Sequence, residues 1–260
     1  TETELALRRG IEADELVLEY QPIVDLATSR VDGAEALVRW RRPDFGLVGP
    51  NDFIHIAERS SLIIELDRWV LERCCERLAG WRDRDALSPI RLAVNISGRH
   101  LMEGDLVADV AAALERTGAD PSMLEIELTE THLLGDLDLA VETLRALRDR
   151  GVRISIDDFG TGYSAMNHLR HLPIDSIKID RSFIVAARVS DADAAVVDAV
   201  LAIGRSHGLE VVAEGIETAE DLEFVRGRGC DRGQGYYISY PLPIESAEAL
   251  MFSTLAMQHA

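Results

Sequence analysis

Short apolar runs alternate with longer amphipathic stretches along this chain. The runs cover 16–26, 31–40, 90–96, 124–128, 152–156, 176–179 and 209–213, with a weaker one at 236–238. Each is rich in branched residues and bounded by polar or glycine positions, the pattern of a buried strand. The stretches between them carry a 3.6-residue stripe. In 62–81 the stripe is Leu62, Leu66, Trp69, Val70, Cys74 and Leu78. In 136–150 it includes Leu137, Leu144 and Leu147, and Gly151 is placed to end the helix. The 191–207 stretch repeats the pattern with Gly208 after it.

Steady strand–helix alternation predicts an α/β fold with a mostly parallel sheet. About eight strands at this length favour a TIM-type (β/α)8 barrel over an open doubly wound sheet. The first two runs are joined by only a few residues around 28–30. So short a link makes a hairpin. The expectation is therefore a modified TIM barrel with an antiparallel first strand. No repeat or Pro/Gly-rich linker divides the chain, so 1–260 reads as a single domain. Within a lead-in of 1–18, residues 5–18 read as a helix entering the first strand.

Composition narrows the partners. The net charge of −19 argues against nucleic acid polymers and anionic membranes. The N-terminus is charged and lacks an apolar core, and no run reaches the ~18 residues of a membrane span. The expectation is a soluble, cytoplasmic chain with no direct membrane contact. Cys74, Cys75 and Cys230 form no CxxC pair, so buried free thiols are expected. Of 27 basic residues, Lys178 is the one lysine. That bias marks position 178 as one that needs an ammonium.

The chemistry lies where the strands end. Asn95 closes an apolar run, Glu127 lies in Ile126-Glu127-Leu128, and Asp157 and Asp158 follow 152–156. Lys178 lies in Ile177-Lys178-Ile179, Glu214 follows Val211-Val212-Ala213, and Glu35 sits inside the second strand. In a parallel barrel these ends share the rim where active sites are built. Carboxylates that converge there repel one another and call for cations. The donors are all oxygens, which suits Mg2+ or Mn2+ rather than zinc. Two such ions about 3.5 to 4 Å apart form a site for phosphoryl displacement. Adjacent Asp157 and Asp158 suit a bridge between them.

Taken singly, each residue has a plainer reading. An Asp-Asp pair is usually a solvated turn, a strand-end Asn satisfies backbone, Glu127 could point outward, and Glu35 could pair with Arg39. Seven such residues on successive strand ends are hard to obtain from turn chemistry. Gly160 to Ala165 fits GxGxxG/A, the dinucleotide-binding fingerprint. Asp157 and Asp158 would crowd a pyrophosphate there, so a loop needing glycine backbone angles is the better reading. His168 and His171 have no third partner at metal spacing.

The motifs, in order, resemble the EAL domain family. Glu35-Ala36-Leu37-Val38-Arg39-Trp40 resembles its signature, and Tyr20-Gln21-Pro22 its first strand. Val94-Asn95-Ile96-Ser97, Glu127-Leu128-Thr129-Glu130, 157–164 (DDFGTGYS) and Ile177-Lys178-Ile179-Asp180 follow. Ala213-Glu214-Gly215 and Gln234-Gly235-Tyr236 complete the series. The resemblance implies a phosphodiesterase that hydrolyses c-di-GMP to linear pGpG with two Mg2+ or Mn2+ ions. It implies Glu35, Asn95, Glu127 and Asp157 as ligands of one ion, and Asp157 and Asp158 as ligands of the other. Lys178 would hold the attacking water, and Glu214 would be the general base or a further metal-shell ligand. Gln21, Arg39 and Gln234 would contact substrate. Glu130 would anchor the 158–164 loop, which in this family couples dimerisation to activity. A homodimer and a fused GGDEF or sensor domain are implied partners. The alternative within the family is a catalytically silent c-di-GMP receptor.

Overall fold

A computed structural model describes residues 2–82, 84, 89–133, 135–160 and 172–252. Among the described residues nine strands form one sheet: β1 (Leu16–Asp25), β2 (Arg30–Arg42), β3 (Gly46–Val48), β4 (Arg91–Asn95) and β5 (Leu124–Thr129), then β6 (Arg153–Phe159), β7 (Ser176–Ile179), β8 (Glu210–Ala213) and β9 (Arg232–Gly233). Their order is β1-β9-β8-β7-β6-β5-β4-β2-β3, and β1 also pairs with β2. That pairing closes eight strands into a barrel and leaves β3 as a flap on β2. β1 runs antiparallel to both neighbours. The steps from β2 through β9 around the ring are parallel. The expected modified TIM barrel is thus the observed fold.

Helices cover the outside: α1 (Glu2–Glu12), α2 (Ile54–Ala57), α3 (Leu62–Trp81), α4 (Gly98–Glu103), α5 (Leu106–Thr117) and α6 (Leu137–Arg148), with α7 (Arg181–Ala187), α8 (Asp191–His207), α9 (Ala219–Arg228) and α10 (Ile244–Met251) after them. Local chemistry sets their ends. Asp136 and Ser190 accept from the third backbone amide beyond them, capping α6 and α8. Gly208 ends α8 in the left-handed conformation (φ 68°), which suits a residue without Cβ. The main core lies between barrel and helices, and a second cluster packs Leu7, Leu16, Trp40, Phe53 and Leu62 under α1.

Two expectations need correction. The entry helix ends at Glu12, and 16–18 already belong to β1. Asp14, at φ 58°, breaks the helix where the apolar spacing runs on. The weak strand at 236–238 is a turn. The ring is closed instead by the two residues of β9, which pair with both β1 and β8. All three cysteines are buried free thiols, as expected. No helix among the described residues is long and apolar enough to cross a membrane. The GxGxxG/A match beyond Gly160, His168 and His171 lie outside the described residues.

Candidate active site

The ends of the parallel strands bring the predicted residues to one mouth, and Lys178 stands at its centre. Lys178 Nζ lies 2.7 Å from Glu214 Oε1, 2.9 Å from Glu127 Oε2, 3.2 Å from Glu35 Oε2 and 3.7 Å from Asp157 Oδ1. β7 therefore carries one ammonium that faces carboxylates from β2, β5, β6 and the end of β8. The alternation of β2 and β5 turns Glu35 and Glu127 inward, and both are buried.

Two amides complete the ring. Asn95 Nδ2 donates to Glu35 Oε1 at 2.6 Å. Gln234 Nε2 donates to Glu35 Oε2 at 2.7 Å and to Glu214 Oε1 at 2.8 Å. Gln234, which the resemblance casts as a substrate contact, thus also braces two carboxylates.

One positive charge does not balance this set. Burial, and then the neighbouring carboxylates, push Glu127 well above the usual range against the pull of Lys178. Burial likewise pushes Glu214 up to about 8. Asp158 is raised by burial and by Asp157 and Asp180. Burial also acts on Glu35, but Lys178 and the hydrogen bonds from Gln234 and Asn95 outweigh it and hold Glu35 low. Burial pulls Lys178 down, yet the carboxylates around it raise it well above a normal lysine. Raised carboxylates beside a saturated ammonium are a site with room for more positive charge.

Asp157, Asp158 and Glu214 form a second group, whose carboxylate oxygens lie within 4.8 Å of one another. Neighbours in a regular strand point to opposite faces. Here the β6–β7 register shifts between Ile156 and Phe159, and Asp158 takes the left-handed conformation (φ 53°). That bulge turns both aspartates toward one mouth. Asp157 and Glu214 belong to both groups. The donors are oxygens throughout, which fits hard divalent cations. Glu214 joins the second group.

The remaining predicted residues are placed as follows. Gln21 Nε2 donates to the Ser239 carbonyl at 3.2 Å. With Glu214, Gln234, Asp180, Arg181 and Tyr236 it lines a cavity of about 440 Å3 beside the acidic ring. Arg39 pairs with Glu19 at 2.8 Å, and Glu35 pairs with Lys178 instead. Glu130 Oε2 accepts from the Gly160 amide at 3.3 Å, at the base of the loop it was expected to anchor. The rest of that loop lies outside the described residues. On the Asn95 side, a second cavity of about 280 Å3 is lined by Leu37, Ile54, Glu58 and His132.

Asp67 is a site residue the motifs do not mark. Its Oδ2 accepts from Ser97 N at 3.0 Å and Ser97 Oγ at 2.7 Å, fixing the turn just after Asn95. A signal was present: Asp67 is a charged residue inside the apolar stripe of α3, and it is buried.

Fold and site together define a TIM-barrel-like protein with an acidic, all-oxygen cluster at the barrel mouth. The chain belongs to the EAL domain family, whose model matches residues 4–241. It is 43% identical over 245 residues to the cyclic di-GMP phosphodiesterase NbdA of Pseudomonas aeruginosa, covering 94% of this chain and 31% of that protein. It is 45% identical over 240 residues to an uncharacterized signaling protein of Caulobacter vibrioides, covering 92% of this chain and 29% of that protein. The solved structure of the PaMucR phosphodiesterase in complex with c-di-GMP matches with a TM-score of 0.89 at 39% identity, covering 95% of this chain and 100% of that one. The chain spans about three tenths of the length of these two curated relatives.

Proposed function

We propose that this chain hydrolyses c-di-GMP to linear pGpG with two Mg2+ or Mn2+ ions. The observation that carries the reading is the acidic mouth, in which Asp157 and Glu214 are shared between two oxygen-donor groups whose charge Lys178 alone does not balance. Similarity to NbdA and to c-di-GMP-bound PaMucR supports the substrate. Glu35, Asn95, Glu127 and Asp157 would hold one ion, and Asp157 and Asp158 the other, with Glu214 beside them. When bound, such ions would supply positive charge to the phosphodiester and to the attacking water. Lys178 would orient that water, and Glu214, which faces Lys178 and Gln234, would accept its proton. Gln21 and Gln234 line the neighbouring cavity and would contact the nucleotide. Arg39, steadied by Glu19, would present its fork to a phosphate or guanine edge.

The same reading covers the chain's setting. We take it as one EAL domain of a cytoplasmic homodimer that lowers the second messenger, with α1 leading in from a GGDEF or sensor domain. Chromatography of c-di-GMP incubated with the protein and Mn2+ tests the activity. Linear pGpG is expected with Mn2+ or Mg2+, inhibition with the larger Ca2+, and no turnover for Glu35→Ala. Full activity in EDTA refutes the metal role. Tight binding with no product over hours in Mn2+ assigns the chain to the receptor class instead.

A further inference from the structure

Below the acidic ring, the lower mouth of the barrel is filled by charge rather than by the branched aliphatic layers usual in such barrels. Arg91 bridges Asp32 at 3.1 Å and Glu210 at 2.6 Å. Arg153 reaches Glu210 at 3.1 Å and Glu125 at 3.9 Å. Arg232 reaches Glu125 at 3.7 Å and Asp32 at 2.9 Å. These contacts close a loop in which three guanidiniums alternate with three carboxylates. β4 and β8, β6 and β8, β5 and β9, and β2 and β9 are not sheet neighbours. The contacts therefore tie strands across the barrel. Arg232 and Glu125 are 3% exposed.

We propose that this ring of six charges is a positioning device for the acidic mouth: it fixes strand register so that the metal-site carboxylates meet. This rests on reading that mouth as a divalent-cation site. Five of the six residues stand on a strand that presents a mouth residue two or four positions further on the same face: Arg91 and Asn95, Glu125 and Glu127, Arg153 and Asp157, Glu210 and Glu214, Arg232 and Gln234. Asp32 lies three residues before Glu35. A slip of one residue would turn each charge to the wrong face, and a slip of two would move it roughly 6.6 Å from its partners. Aliphatic layers tolerate such slips more readily, because their contacts have no direction. A partly buried ionic layer is a poor device for raw stability, since its exposed pairs contribute little and apolar replacements of its buried pair often serve as well. A metal site, by contrast, needs its ligands within ~0.5 Å.

Gly33 supplies a second observation. A Cβ there would sit 2.3 Å from Arg232 Nη2. The bare backbone at 33 makes room for Arg232 two residues before Glu35.

The test measures Mn2+ affinity by electron paramagnetic resonance together with thermal melting. Asp32→Asn/Arg232→Met removes one charge of each sign. The expected result is a melting temperature close to wild type with Mn2+ affinity roughly tenfold weaker, the scale of lost second-sphere support. Arg232→Lys should recover part of that affinity. If the double variant does not fold, Gly33→Ala keeps all six charges, displaces Arg232 first and presses on the Arg91 carbonyl at 3.1 Å, and is expected to weaken Mn2+ binding. Unchanged Mn2+ affinity in the folded variants overturns the positioning role and leaves the metal reading intact. A wild-type protein that binds no Mn2+ overturns both.

Discussion

Lys178 Nζ and Glu127 Oε2 face each other at 2.9 Å with side chains only 1% and 2% exposed. A buried pair of this kind cannot lose one partner without consequence. Lys178→Met should reduce turnover by at least ~100-fold, since the water loses its orienting group. The stability loss should be larger at pH 8 than at pH 5, where more of the carboxylates carry protons and need the ammonium less. Lys178→Arg should restore stability but not turnover, because a planar fork does not seat one point charge among four oxygens. Equal turnover in the arginine variant would remove Lys178 from the chemistry.

Glu214 gives the pH dependence its sign. Its carboxyl is held up to about 8, above the ordinary 4.5. Between those values the folded state holds a proton that the unfolded state releases, so this contribution to stability is lost as pH rises. In EDTA, the melting temperature should fall from pH 5 to pH 8 by more than it does for Glu214→Gln. Mn2+ must displace that proton, so its affinity should rise over the same range. Calorimetry at pH 6, 7 and 8 measures it, and a flat profile counts against Glu214 as part of the cation site.

Asp158 separates a backbone role from a carboxylate role. Its φ of 53° costs an ordinary L residue ~1 kcal/mol, a cost that glycine escapes. Asp158→Gly should therefore be more stable than Asp158→Ala by about 1 kcal/mol. Both should lose Mn2+ affinity and turnover, because both lack the carboxylate. Denaturant melts and Mn2+ titrations of the pair decide this. If the glycine variant kept its activity, the bulge rather than the side chain would be what matters.

The mouth residues are legible in the sequence because a polar residue that closes an apolar run is conspicuous. Asn95, Asp157 and Glu214 announce themselves this way, and Glu127 and Lys178 do so by interrupting such a run. The bulge that lets Asp157 and Asp158 converge is not legible, since it depends on how β6 meets β7. Nor is the closing strand: Arg232 and Gly233 carry no apolar run, while the aromatic 236–238 stretch that imitates one is a turn. The lower ring escapes for another reason. Arg91, Glu125, Arg153 and Glu210 each begin or adjoin a strand, where a charge passes for a solvated end. Only closure of the barrel shows that they face one another. Arg39 shows the limit of proximity in sequence, since its partner is Glu19 across the hairpin rather than Glu35 on its own strand.

Asp67 links the helical layer to the mouth. It accepts two hydrogen bonds from Ser97, two residues beyond Asn95, and lies 3.3 Å from His100 Nδ1. His100 also meets Asp109 Oδ2 through Nε2 at 2.9 Å. Burial pulls His100 down, but Asp67 and Asp109 together raise it above the usual histidine value of 6.5. A raised histidine contributes stability that is full below about 6.5 and is lost as pH rises through its folded value. Asp67→Ala should therefore cost more at pH 6, where His100 is charged and loses a partner, than at pH 9. The loss common to both pH values, from Ser97, should be about 1–3 kcal/mol. Because the Ser97 turn positions Asn95, Mn2+ affinity should weaken as well. Urea melts at the two pH values read the first effect and Mn2+ titration the second. A pH-independent cost would show that His100 does not depend on Asp67 for its charge.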